Sequence, residues 1–251
     1  MSCHHRWIVT TPNSELNKQF GSLDAIFSMQ GEIITSDRIS DVILIEHAGI
    51  RYYVKRYYLA GKGLRRFFGR PRIQGEWENL LLFEKLGIPT AEIIAYGYES
   101  KFGLFHKGAL VTKEIINTRD LAAIAIKQYS RLSDKDWMKS VITQLAEITK
   151  KLHDNRFIHN DLKWRNILVD DHEQVYLIDC PLGDFWRGGL LRYRIVKDLK
   201  SLDHFAKQYL SRTKRLSFYK AYAGVNKLSK EDKIFIRTML LRRSRRYDKK
   251  A

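Results

Sequence analysis

Only two cysteines, Cys3 and Cys180, occur in this 251-residue chain, so no disulfide framework can hold it together. Long apolar runs are missing too. The longest, Leu121 to Ile126, falls far short of the roughly 20 residues a membrane-spanning helix needs. Met1 to Lys18 carries polar and charged residues with no apolar core of the kind that marks a secretory signal. Internal repeats, low-complexity tracts and interdomain linkers are also absent. Acidic residues are scarce, 28 against 45 Lys and Arg, for a formal charge of +17.

With 44% hydrophobic residues, the chain can bury a sizeable core as one catalytic unit. Its positive field favours an anionic partner, whether phosphorylated glycolipid, membrane surface or nucleic acid. No acid occurs between Arg51 and Gln74, where Lys62, Arg65, Arg66, Arg70 and Arg72 follow Tyr52, Tyr53, Tyr57 and Tyr58 and interleave with Phe67 and Phe68. Such a loop suits lipid phosphates or the interfacial layer. The stretch Ile234 to Leu241 followed by Arg242, Arg243, Arg245, Arg246, Lys249 and Lys250 reads as a second membrane-surface candidate. Basic residues among aromatics also suit single-stranded nucleic acid, but no nucleic-acid-binding module accompanies them, so nucleic acid is not the expected partner.

The most informative stretch is His159-Asn160-Asp161-Leu162-Lys163-Trp164-Arg165-Asn166, followed by Ile167-Leu168-Val169 and Val175-Tyr176-Leu177-Ile178-Asp179. The two apolar runs flank a polar turn, Asp170 to Glu173, and are expected to pair as an antiparallel hairpin. That pairing would set Asn166 and Asp179 at one end as oxygen ligands for a hard cation such as Mg²⁺. Phosphoryl transfer needs such ligands, and also a carboxylate that orients the attacking hydroxyl. Asp161 is placed for the second task.

The segment resembles the catalytic loop and metal-binding motif of the protein-kinase-like superfamily, H-R-D-x-x-x-x-N followed by D-F-G. Within it, His159 to Val169 and the Ile178-Asp179-Cys180 ending look most like the lipopolysaccharide core kinases, which phosphorylate heptose or 3-deoxy-manno-octulosonic acid. The resemblance spans about residues 30 to 205. It implies that Asp161 is the general base or orienter, that Lys163 neutralises the transferring phosphoryl, and that Asn166 and Asp179 hold Mg²⁺. Upstream, Asp41 to Glu46 and Ile50 to Arg56 read as a hairpin around His47-Ala48-Gly49. Lys55 near its end matches the strand lysine that grips the α- and β-phosphates of ATP. A helix pattern runs from Glu76 to Leu86, stopped by Gly87 and Pro89. Glu76 is the expected partner of Lys55, with Glu78 on another face as the competitor.

Two motifs are missing from the resemblance. Gly31 to Ile39 lies where the nucleotide loop belongs but contains no G-x-G-x-x-G. No A-P-E follows Asp179, and Asp198 comes only nineteen positions later, too soon for a long phosphorylatable activation segment. Asn160 stands where many protein kinases carry the arginine that meets such a phosphate. A small-molecule or glycan hydroxyl is therefore the better acceptor. Asp198 resembles the helix carboxylate that braces the catalytic loop.

The expected fold is α+β and protein-kinase-like: a small lobe, residues 1–113, of antiparallel sheet with one helix, then a compact, mainly helical large lobe, residues 114–251. A connector begins at Lys113 after a strand Ala109 to Thr112. A core helix carries Trp137, Val141, Leu145, Ile148 and Leu152 from a Ser133-x-x-Asp136 start. The implied activity is ATP-dependent phosphorylation of a sugar hydroxyl in the lipopolysaccharide inner core. The implied location is the cytoplasm, with contact to the inner membrane face. A compact atypical protein kinase and a non-catalytic scaffold that binds membrane or RNA are the alternatives. The oligomeric state is not legible in the sequence.

Overall fold

Residues 3–10, 14–61, 63 and 69–241 are described by the structure, a computed structural model. The chain divides into two compact units, Met1–Asn117 with Tyr176–Gly183, and Thr118–Val175 with Asp184–Ala251.

In chain order, the first unit holds β1 (Cys3–Val9), α1 (Ser14–Phe20), α2 (Leu23–Ser28), β2 (Glu32–Ser36), β3 (Ser40–His47), β4 (Ile50–Tyr57), α3 (Arg72–Lys85), β5 (Ile93–Lys101) and β6 (Leu104–Lys113). The six strands form one sheet in the order β1-β5-β6-β4-β3-β2, with the recorded pairings antiparallel. The expected hairpin is β3 and β4, each slightly longer than the apolar pattern suggested. Its two-residue loop puts Ala48 and Gly49 at φ 51° and 74°, the doubly left-handed turn whose twist matches the flanking strands. One face of the sheet buries Ile43, Val54, Ala95, Ala109 and Val111 against Phe20, Leu23 and Ile26. Helices α1 and α2 thus add to the single helix expected in this lobe. They are only seven and six residues long, too short for a helical period to stand out.

Helix α3 starts at Arg72, a turn before the sequence pattern, because Arg72 N–H bonds Ala60 O at 2.9 Å and the buried stripe begins at Ile73. It ends as the pattern indicated. Gly87 takes φ 62°, its N–H reaches Glu84 O, and Ile88 N–H reaches Phe83 O at 2.8 Å. This double bond pattern satisfies carbonyls that the helix end would otherwise strand.

The second unit carries β7 (Arg119–Asp120), α4 (Leu121–Lys127), α5 (Lys135–Asp154), β8 (Phe157–Ile158) and β9 (Ile167–Val169). The chain continues through β10 (Val175–Leu177) to β11 (Asp184–Phe185), α6 (Gly188–Tyr209), α7 (Arg212–Ala223) and α8 (Lys230–Leu241). Helix α5 buries Trp137, Val141, Leu145, Ile148 and Leu152, the stripe read from the sequence. Its cap is Asp134 rather than the expected Ser133. Asp134 is extended and accepts from Asp136 N–H at 3.0 Å and Trp137 N–H at 3.1 Å, whereas Ser133 closes a preceding 3₁₀ turn. An apolar cavity of about 70 Å³ lies inside this unit, lined by Trp137, Val141, Leu145, Trp164, Leu202 and Met239 among others.

Two readings from the sequence fall outside the described residues: most of the Lys62 to Phe68 loop and the basic run Arg242 to Lys250. Among the described residues, no helix is long and apolar enough to cross a membrane.

Candidate active site

Alternation along β4 puts Lys55 and Tyr57 on the same side of the sheet. Lys55 Nζ lies 2.8 Å from Glu76 Oε1 and 2.6 Å from Asp179 Oδ1. The Tyr57 hydroxyl donates to the second Glu76 oxygen at 2.7 Å. The choice between glutamates is thereby settled: Glu76 is buried on this cluster, and Glu78 turns to Arg70 Nη1 at 2.9 Å. Burial alone would drive the Lys55 ammonium toward its neutral form, but Glu76 and Asp179 outweigh it and hold its pKa well above 10.5. Burial pushes the Glu76 carboxyl up against the downward pull of Lys55. Tyr57 is likewise pushed well above 10.0, first by burial and then by Glu76.

Asp179 arrives in this cluster because its segment is tied down on both sides. Leu177 N–H bonds Pro89 O at 2.9 Å, and Thr90 Oγ1 donates to Leu177 O at 2.6 Å. Beyond Asp179, the Asn79 amide donates to Cys180 O at 2.6 Å and Gly183 O at 3.1 Å. Gly75 permits the approach, since a Cβ there would stand 2.7 Å from Pro181 O. Asp179 itself adopts φ 58°, a left-handed conformation that Asp tolerates better than most residues.

The second unit assembles the other expected residues. Leu162 and Trp164 are buried and anchor the loop, and Trp164 Nε1 donates to Leu202 O at 3.1 Å. Lys163 between them and Asp161 before them stay partly accessible, and Asn166 beyond them is buried. Asp161 Oδ2 accepts from Lys163 Nζ at 2.7 Å and from Asn166 Nδ2 at 3.3 Å, and Asn166 Nδ2 also reaches Asp161 O at 3.0 Å. Since both Asp161 atoms are acceptors, the NH₂ end of Asn166 must face them, which turns its oxygen end away. Asp161 Oδ1 takes no hydrogen bond among the described residues, which leaves one oxygen for an incoming hydroxyl.

Asp198 holds this loop from behind. It is 1% exposed, and its two oxygens accept from His159 N–H at 2.7 Å and Asn160 N–H at 2.9 Å. Asn160 sits at φ 63°, so the backbone just before Asp161 is bent into a left-handed kink that the Asp198 bonds maintain. The strands after the loop form where the sequence put them. Asp170 N–H meets Gln174 O at 3.2 Å to close the intervening turn, and β9 pairs with β7.

Three site-forming residues escaped the sequence reading. Tyr57 grips Glu76, Asn79 fixes the segment after Asp179, and Arg194 donates from Nη1 to Asn160 Oδ1 at 3.1 Å. Spacing carried a signal for each: Tyr57 is two along a strand from Lys55, Asn79 three along a helix from Glu76, and Arg194 four before Asp198.

A lysine between a helix glutamate and a post-strand aspartate, and a loop aspartate flanked by lysine and asparagine, define the protein-kinase-like phosphotransferases. The family model for lipopolysaccharide kinases (Kdo/WaaP) matches residues 29–222. The chain belongs to that family. It is 30% identical over 187 residues to the 3-deoxy-D-manno-octulosonic acid kinase of Haemophilus influenzae strain Rd, covering 71% of this chain and 70% of that protein. The Vibrio cholerae enzyme of the same name is 36% identical over 97 residues, a match spanning 37% of this chain and 38% of its relative. Among solved structures, WaaP in complex with acyl carrier protein superposes with a TM-score of 0.74 at 19% identity, over 94% of this chain and 96% of that one. That likeness establishes the kinase-like α+β fold.

Proposed function

We propose that this chain transfers the γ-phosphate of ATP to a sugar hydroxyl of the lipopolysaccharide inner core, with a 3-deoxy-D-manno-octulosonic acid residue as the acceptor. The observation that carries the reading is Lys55 Nζ held between Glu76 and Asp179 at 2.8 and 2.6 Å, the arrangement a kinase needs to grip a triphosphate. The named relatives support the acceptor.

In this reading Lys55 binds the α- and β-phosphates, and Glu76, fixed by Tyr57, keeps its ammonium pointed at them. Asp161 Oδ1 takes the hydrogen bond of the acceptor hydroxyl and orients its oxygen for in-line attack. Lys163, now on Asp161 Oδ2, supplies the positive charge that balances the transferring group. Asn166 and Asp179 supply a carboxamide and a carboxylate oxygen, a donor set that suits Mg²⁺. When bound, Mg²⁺ neutralises charge on the β- and γ-phosphates. The positive chain works against anionic lipid at the cytoplasmic membrane face. WaaP's complex with acyl carrier protein makes that protein the first macromolecular partner to test by co-purification.

The test is transfer of labelled γ-phosphate from MgATP to inner-core lipopolysaccharide lacking the phosphate, beside a mixed protein and RNA fraction, with Asp161→Asn as the blank. Label in the glycolipid that disappears with the variant is the expected result. Label in protein instead supports an atypical protein kinase, and none in any fraction removes the reading.

A further inference from the structure

Arg194 is a half-buried cation beside the catalytic loop that makes no ion pair with a carboxylate among the described residues. Two arginines of comparable or deeper burial are paired, Arg56 with Asp41 at 2.7 Å and Arg215 with Asp203 at 2.6 Å, whereas Arg72, like Arg194, has a buried Nε with no acceptor among the described residues. Arg194 takes part in no ion pair among the described residues. Its guanidinium lies 4.1 Å over the Trp186 ring, one nitrogen donates to Asn160 Oδ1 at 3.1 Å, and Nε is buried without an acceptor. Of five N–H donors, one finds a hydrogen-bond acceptor.

Half-burying an unpaired charge costs free energy, and folded chains normally offset it with a counter-ion. The surroundings here add cations. Along the chain Arg187, Arg192 and Lys197 lie near Arg194, between Asp184 and Asp198, and the Asp198 carboxylate is taken up by the backbone N–H groups of His159 and Asn160. The position is also specific. Asn160, which Arg194 holds, is the residue before Asp161, and consecutive Cα atoms are only about 3.8 Å apart. Arg194 is thus one residue removed, through Asn160, from the carboxylate that would orient the acceptor hydroxyl. Because Nε is buried, an anion would meet the Nη edge of the stacked guanidinium, where N–H donors remain beside the bond to Asn160.

We propose that Arg194 is the residue by which this enzyme recognises an oxyanion on its acceptor, a carboxylate or a phosphate ester next to the hydroxyl that is phosphorylated. The side chain selects an acidic acceptor and sets its register, while its bond to Asn160 ties that recognition to the catalytic loop. This rests on the kinase reading above, and it adds which feature of the acceptor is read and by which atom.

The test uses the full chain with MgATP and three forms of inner-core glycolipid: untreated acceptor, acceptor with carboxylates reduced to alcohols, and acceptor stripped of its other phosphates. Loss of a charged, bidentate contact corresponds to about a 10- to 100-fold rise in KM. Wild-type enzyme is expected to show that rise with one of the two modified acceptors, which also identifies the anion. Arg194→Gln is expected to show it on untreated acceptor, with KM for ATP unchanged, and to lose little more when the recognised anion is removed. Arg194→Lys recovers part of the affinity because the charge survives without the fork.

Equal KM for all three acceptors with wild-type enzyme overturns the proposal, and this arm depends on no variant. So does an Arg194→Gln enzyme whose kcat alone falls, since that outcome makes Arg194 a prop for Asn160 and nothing more. Failure of the wild type to label any glycolipid overturns the kinase assignment itself, a result distinct from either.

Discussion

Tyr57→Phe removes one oxygen and leaves the ring that packs inside the first unit. The lost hydroxyl donates at 2.7 Å to Glu76 Oε2, and both residues are buried, at 3% and 4% exposure. Water cannot readily replace the donor. A buried hydrogen bond to a charged acceptor is worth about 1.5–3 kcal/mol. For a chain of this length, each kcal/mol moves the melting temperature by roughly 2–4 °C, so the variant should melt about 3–12 °C lower. Part of the loss reaches the nucleotide because Glu76 positions Lys55, and KM for MgATP should rise by about 3–10-fold, or roughly 0.6–1.4 kcal/mol. Adding Glu76→Gln to Tyr57→Phe should cost less than the sum of the single changes, since the two residues share one interaction. The assay is differential scanning fluorimetry with steady-state kinetics in ATP. A Tyr57→Phe enzyme that melts with the wild type and keeps its KM would refute the idea that this hydroxyl fixes the Lys55–Glu76 pair.

Three further outcomes follow from the same contacts. Asp198→Asn replaces one of two acceptors facing backbone N–H groups with an NH₂ donor, so it should destabilise by about 1.5–3 kcal/mol and lower kcat far more than it alters KM for ATP, measured by urea unfolding and turnover. Leu145→Ala enlarges a region that already contains a cavity, and its cost should fall in the upper part of the about 2.7–5.0 kcal/mol range for such changes, read from the denaturation midpoint. Alkaline stability has a fixed sign: burial, with the hydrogen bond to Asp232, pushes Tyr219 up to about 12, and Lys55 is also raised. Both groups keep their protons more tightly when folded, so their contribution is complete below about pH 10 and is lost as pH rises through the folded values. The urea midpoint should therefore fall between about pH 10 and 12, less steeply in Tyr219→Phe.

How much of this was legible in the sequence depended on how local the cause was. The β3–β4 hairpin, the C-terminal stop of α3 at Gly87 and the α5 stripe each follow from a few consecutive residues, and the sequence pattern located them. Glu76 could be preferred to Glu78 but not separated from it, because the decision rests on Tyr57 and Arg70, which lie on other parts of the chain. Strand β1 was invisible: its partner is β5, some ninety residues away in sequence, and nothing near Cys3–Val9 records that pairing. Asp198 was recognised as a brace from its resemblance, yet its burial and its bonds to His159 and Asn160 come from tertiary packing. The Arg194–Asn160 contact joins two positions 34 residues apart. Its meaning appears only when Arg194 is seen to make no ion pair among the described residues.

Mass spectrometry of inner-core glycolipid after incubation with MgATP and the purified chain tests the central claim most directly. The account predicts a product heavier by one phosphate on a core sugar, formed by wild-type enzyme and missing with Asp161→Asn even though that variant still binds MgATP. Unmodified glycolipid with the wild type, or equal product from Asp161→Asn, would contradict it.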